Sequence, residues 1–127
     1  MELLILCYVV KHIFVDYVLQ RIFKPKNKRL YGGRDGIVHA NLHADTTFVL
    51  VTCWLLATHG ASVNHLVTGL LMALVDGISH YHIDWVKSNL VHKYRLLTKP
   101  RLLFLANAID QLLHITFYII IIKIVIQ

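Results

Sequence analysis

Acidic residues are scarce in this chain: seven Asp and Glu stand against thirteen Lys and Arg over 127 residues, a formal net charge of +6. Proline and glycine are also few, two and six, so little interrupts long helices. The two cysteines, Cys7 and Cys53, form no CxxC and no zinc-finger spacing, which excludes a thiolate metal site. They leave open one disulfide near the outer ends of neighbouring helices, or two small buried thiols. There is no low-complexity segment and no clear internal repeat. The N-terminal stretch lacks the basic n-region of a signal peptide, and Lys11 and His12 interrupt its apolar run, so it reads as a retained first helix.

What is abundant is apolar bulk, 57% of the chain. Together with the basic balance it fits a membrane protein with Lys and Arg on cytoplasmic loops, and no nucleic-acid partner is expected. The length suits a single domain, residues 1–127. Four apolar segments, at about 2–23, 36–58, 63–92 and 101–126, predict an all-α, four-transmembrane-helix bundle. Lys24 and Pro25 break the first segment, Asp35 is the expected N-cap of the second, Ser62 caps the third, and Pro100 suits the first turn of the fourth. The first loop holds Lys24, Lys26, Lys28, Arg29 and Arg34, and the third holds Lys93, Arg95, Lys99 and Arg101. The second loop has no Lys or Arg. That alternation predicts a multi-pass membrane protein with both termini on the outer side. Topology accounts for the basic loops. They would also suit an anionic lipid or a phosphate-bearing substrate.

Five of the seven acids lie inside the apolar segments, the reverse of a soluble protein's habit. Histidines accompany them at helical spacing: His12, Asp16 and Gln20; His39 and His43; Asp76, His80, Asp84 and Lys87; Asp110 and His114, with Gln111 beside them. Residues four apart share a helical face. An unpaired charge at bilayer depth costs about 2.5–3.5 kcal/mol on the insertion scale, so these groups are expected to meet. Counted from the cytoplasmic ends, Asp16, His43, Asp84 and Asp110 lie seven to nine residues in. His12, His80 and His114 lie eleven to thirteen in, one turn deeper, and Gln20, His39 and Lys87 lie at a polar mouth. A lone intramembrane histidine is commonly hydrogen-bonded to a neighbouring helix. Four helices with sets at similar depth point instead to a shared cation.

The expected metal ligands are His12, Asp16, His39, His43, Asp76, His80, Asp84, Asp110 and His114. Nitrogen and oxygen donors without thiolate suit one or two divalent ions of Zn, Mn, Fe, Ni or Co. His82 and Asp45 fall on other faces, and His59 and His65 in the outer turn.

The ordered set, His12 with Asp16 and Gln20, then His39, then Asp76 to Lys87, then Asp110 with Gln111 and His114, resembles a domain-of-unknown-function family of small integral membrane proteins from bacteria and their phages. That family is similar, at a distance, to predicted membrane-bound metal-dependent hydrolases, which implies a metal site and a candidate hydrolytic activity. In that reading Asp84 and His80 serve the ion and its activated water, and Lys87 steadies an anionic group. Ionisable residues lining a bundle also suit a metal or proton carrier. The outer part of the third segment has only Thr68 as a polar group between Leu66 and Val75, which favours a pocket over a channel. Bis-histidine haem ligation would leave the carboxylates idle. A soluble di-metal bundle conflicts with the apolar fourth segment. Homo-oligomerisation stays open.

Overall fold

A computed structural model of the chain describes residues 2–23 and 27–127. Its described residues form four helical rods and no strand. The first rod runs as α1 (Glu2–Phe14), a π-helical turn (Val15–Leu19) and α2 (Gln20–Phe23). The others are α3 (Arg34–His59), α4 (Val63–Lys93) and α5 (Pro100–Val125), with a 3-10 turn at Leu96–Thr98 before the last. The break assigned to Lys24 and Pro25 lies outside the described residues.

Local chemistry accounts for most of the helix ends. The Ser62 side chain accepts from the Asn64 N–H at 3.2 Å and starts α4, and Pro100 opens α5. Asp35 is not the cap of α3. The helix begins one residue earlier, after an extended Gly33, and Asp35 sits in its first turn, where its carboxylate accepts from the Asn27 N–H. Gly60 ends α3 at φ +80°, a conformation that costs a side-chain-bearing residue, and lets the chain reverse over three residues.

Two of the rods, α4 (31 residues) and α5 (26 residues), are long and apolar enough to cross a membrane. Four such spans were expected. The first rod's α-helix is only 13 residues long before the π turn, and α3 carries Arg34, Asp35, His39, His43 and Asp45 among its 26 residues.

The burial pattern is inverted relative to a water-soluble bundle. Leu3, Leu6, Val49, Leu70, Leu74, Phe104 and Leu112 are exposed, while His43, His80, Asp76 and Asp110 are buried. The interior divides along its length. Toward the Gly60 turn it is an apolar cluster of Leu4, Tyr8, Val51, Leu55, Met72 and Tyr118 with Ile121, Ile122 and Val125. Toward the Leu96–Thr98 turn it is polar, and the candidate site lies there. Cys7 and Cys53 are both free thiols and line one groove between α1 and α3.

Candidate metal centre

The tight turn sets the register of α3 against α4. His43 stands sixteen residues before His59, and His80 seventeen after Val63. Nearly equal counts bring them face to face, with ring centroids 3.5 Å apart and planes inclined by 21°. His39 and Asp84 meet one turn along, Nε2 to Oδ2 at 3.4 Å. Thr47 and Asp76 meet one turn the other way, the hydroxyl donating to Oδ2 at 2.5 Å. Small residues allow this approach: a Cβ on Gly77 would lie 3.0 Å from the Ala44 Cβ.

The first rod adds Asp16 from inside its π turn, where the Gln20 N–H reaches back to the Val15 carbonyl. π turns of this kind recur at functional sites. Asp16 Oδ1 lies 3.1 Å from His43 Nε2 and 3.3 Å from His39 Nε2. His39 Nε2 in turn lies 3.1 Å from His80 Nε2. Two imidazole nitrogens that close either share one proton or turn two lone pairs toward a cation. Donors bonded at about 2.1 Å to one ion sit about 3.0 Å apart at right angles and about 3.4 Å apart at the tetrahedral angle. These three spacings fall in that window, and the donor atoms of the whole set lie within 4.8 Å of one another. Asp16, His39, His43 and His80 form one group that could hold an ion.

A second group is His80, Asp84 and His114. The His114 ring stacks on His80 with centroids 4.1 Å apart, and its Nε2 lies 3.7 Å from Asp84 Oδ1 and 3.6 Å from Asp110 Oδ1. Both carboxylates already have cations. Lys28 Nζ donates to Asp84 Oδ2 at 2.6 Å, and Lys87 Nζ donates to Asp110 Oδ2 at 2.7 Å.

Six of the nine expected ligands thus fall in the two groups: Asp16, His39, His43, His80, Asp84 and His114. The other three have different partners. His12 is hydrogen-bonded through Nδ1 to the Tyr118 hydroxyl at 2.8 Å, and its Nε2 lies 3.2 Å from Asp16 Oδ2. Asp76 forms a buried ion pair with Lys11, whose ammonium also donates to Thr47 at 2.9 Å and lies 4.9 Å from the Tyr118 ring centre. Asp110 holds Lys87, so Lys87 stands at the mouth already engaged. His39, expected at the mouth, stands in the middle of the first group. His82 and Asp45 are exposed, away from both groups.

Sequence reasoning passed over Lys11, Thr47, Tyr118 and Lys28. Thr47 and Tyr118 each continue a four-residue ladder, from His43 and His114, and that spacing was available as a signal. Lys28 had none, because the loop at residues 27–33 has no periodicity. The loop folds onto α4, where Trp85 Nε1 and Asn89 Nδ2 both donate to the Arg29 carbonyl and the Tyr81 hydroxyl accepts from the Gly32 N–H.

A polar cavity of ≈450 Å³ opens beside the second group, walled by Asp16, Gln20, Lys28, Asp84, Lys87 and Asp110 with Asn107 and Gln111. The chain matches the family described as protein of unknown function (DUF3307) over residues 3–127. It belongs to that family. No curated protein and no solved structure matches this DUF3307 chain. The His and Asp groups of this DUF3307 protein therefore have to be read on their own chemistry.

Proposed function

We propose that this chain is a four-span integral membrane protein holding a divalent ion, and that it hydrolyses a phosphate ester from the cytoplasmic side. The carrying observation is the convergence of Asp16, His39, His43 and His80, drawn from three rods, within ligand spacing of one another. The spans follow from the exposed apolar side chains on every rod together with the basic loops at one end only. By the positive-inside rule those loops face the cytoplasm and both termini face out.

The centre takes one ion. The two groups share His80. The second group's one carboxylate, Asp84, already holds Lys28 at 2.6 Å, and the Lys87 ammonium lies 4.0 Å from its other oxygen, so two ammoniums supply the positive charge there. Three histidines and a carboxylate suit Zn, Mn, Fe, Ni or Co. Such an ion, when bound, supplies Lewis acidity and an activated water. The chain's own groups do the rest. Asp84 lies within reach of the cavity to accept a proton, and Lys28 and Lys87 face the position of an anionic ester.

The alternative is a metal or proton carrier. The apolar cluster from Leu4 to Val125 fills the bundle toward the Gly60 turn, so the polar groups have no continuation across it, which favours a one-sided site. Elemental analysis of detergent-purified protein should give one transition-metal ion per chain, and His43→Ala and Asp16→Ala should each cut it at least tenfold. Wild type without metal ends this reading. Ion uptake into vesicles without turnover of any phosphate ester would leave the carrier.

A further inference from the structure

The polar cavity does not end at the bundle's polar interior. Lys87 and Asp110 are walls of it, and they are also walls of a second space, a groove of ≈290 Å³ between α4 and α5. That groove is apolar along the rest of its length, lined by Ile83, Val86, Leu90, Leu105, Ala106 and Leu113 among others. Two compartments of opposite character therefore meet at the Lys87–Asp110 ion pair, whose Nζ and Oδ2 are 2.7 Å apart. We propose that together they bind one ligand, a membrane lipid with a phosphate monoester head on an aliphatic chain. The head lies in the polar cavity and the chain in the α4–α5 groove. This rests on the reading of the site as a single-ion centre.

Charge selects the head. Asp16, Asp84 and Asp110 bring three negative charges to the cavity, and Lys28 and Lys87 two positive ones. The cavity is one charge negative without an ion and one charge positive with a single divalent ion. Phosphate is therefore repelled from the ion-free site and drawn to the loaded one. Gln20, Asn107 and Gln111 add amide donors for the ester oxygens. Lys28 and Lys87 can leave their carboxylates for phosphate, since both are point-charge donors on flexible stems.

Position selects the chain. In a bilayer the aliphatic tail is already among apolar groups, so what the groove supplies is a fitted seat beside the head rather than removal from water. It gives the tail an apolar channel between α4 and α5, from Ile83 and Leu113 to Leu96 and Leu102, that borders the same ion pair as the head. A water-soluble ester would leave that channel unused.

The test uses the full chain in detergent, loaded with Mn²⁺ and examined by native mass spectrometry. The probes are hexadecyl phosphate, hexadecanol, propyl phosphate and inorganic phosphate. Hexadecyl phosphate should be retained one per chain, at least tenfold more tightly than each of the other three. Ala106→Trp and Val86→Trp, which fill the groove from α5 and α4, should remove that advantage and keep the ion. Lys28→Ala should weaken hexadecyl phosphate without affecting hexadecanol. The lipid site is overturned if propyl phosphate or hexadecanol binds as tightly as hexadecyl phosphate, or if both tryptophan variants bind it like wild type. Ion content is read from the same spectra. An ion-loaded chain that retains no hexadecyl phosphate overturns the lipid site alone. An ion-free wild type that still retains it overturns the single-ion centre and the charge selection of the head, and leaves the two-compartment lipid site in place.

Discussion

His80 touches more of the centre than any other residue described above. It belongs to both candidate groups, and its ring stacks on both His43 and His114. His80→Ala should therefore lose the ion at least tenfold, whereas His82→Ala, on an exposed position of the same helix, should leave ion content within twofold of wild type. Both are read by elemental analysis. A different outcome belongs to Lys11. Its pair with Asp76 is buried on both sides, with side chains 6% and 1% exposed. Removing one partner of such a pair costs about 3–5 kcal/mol, because the other charge stays buried. Lys11→Met should thus lower the thermal midpoint in detergent sharply, and Lys11→Met with Asp76→Leu should recover much of the loss. This pair shows where reading by pattern stops. A lysine in an apolar run registers as an interruption, and only the fold supplies the Asp76 sixty-five positions away that makes it a partner. Asp76 itself stands four before His80, so its spacing suggested a ligand, while its Lys11 and Thr47 partners point it away from both groups.

At the scale of elements, the four rods were legible because apolar stretches of helical length alternate with short polar loops. Their ends fall within about two residues of those expected. The π turn at Val15–Leu19 was not legible, since nothing in those five residues distinguishes it from ordinary helix. Depth was legible only in part. Counting from the cytoplasmic ends separates His80 from His43 by a turn, yet their rings are stacked. The better ruler is the three-residue turn at Gly60, from which the two lie at counts that differ by only one. That register depends on close backbones. A side chain at Gly77 would meet both the Ala44 Cβ and the Ala40 carbonyl, and small residues at such crossings are what lets membrane helices approach. Gly77→Leu should separate α3 from α4, with ion content falling at least tenfold although no donor atom is removed. Gly32→Ala, at a turn whose added Cβ meets nothing within 4 Å, should retain the ion despite a positive φ.

For the molecule as a whole, the placement of apolar side chains on the outside and ionisable ones within makes two outcomes checkable. The protein should remain soluble only in detergent or lipid, and sediment when detergent is withdrawn. In a background of Cys7→Ser and Cys53→Ser, Ser62→Cys should react with an impermeant maleimide on intact spheroplasts, and Thr98→Cys only after lysis. The reverse pattern would invert the topology and put the cavity mouth outside. Among the described residues α4 and α5 alone satisfy length and hydropathy for crossing, so in the proposed four-span arrangement the polar α3 and the interrupted first rod would rely on their neighbours to shelter their charges.

The brevity of the Gly60 turn bears on the order in which the bundle is assembled. Helices joined so closely can enter a bilayer as a paired hairpin, and α3 and α4 between them carry His39, His43, His80 and Asp84. Four of the six clustered side chains would then be juxtaposed before the last helix arrives. In the proposed four-span bundle, insertion would not have to carry each of these polar groups alone through lipid, and the first and last rods would join a nucleus already half built.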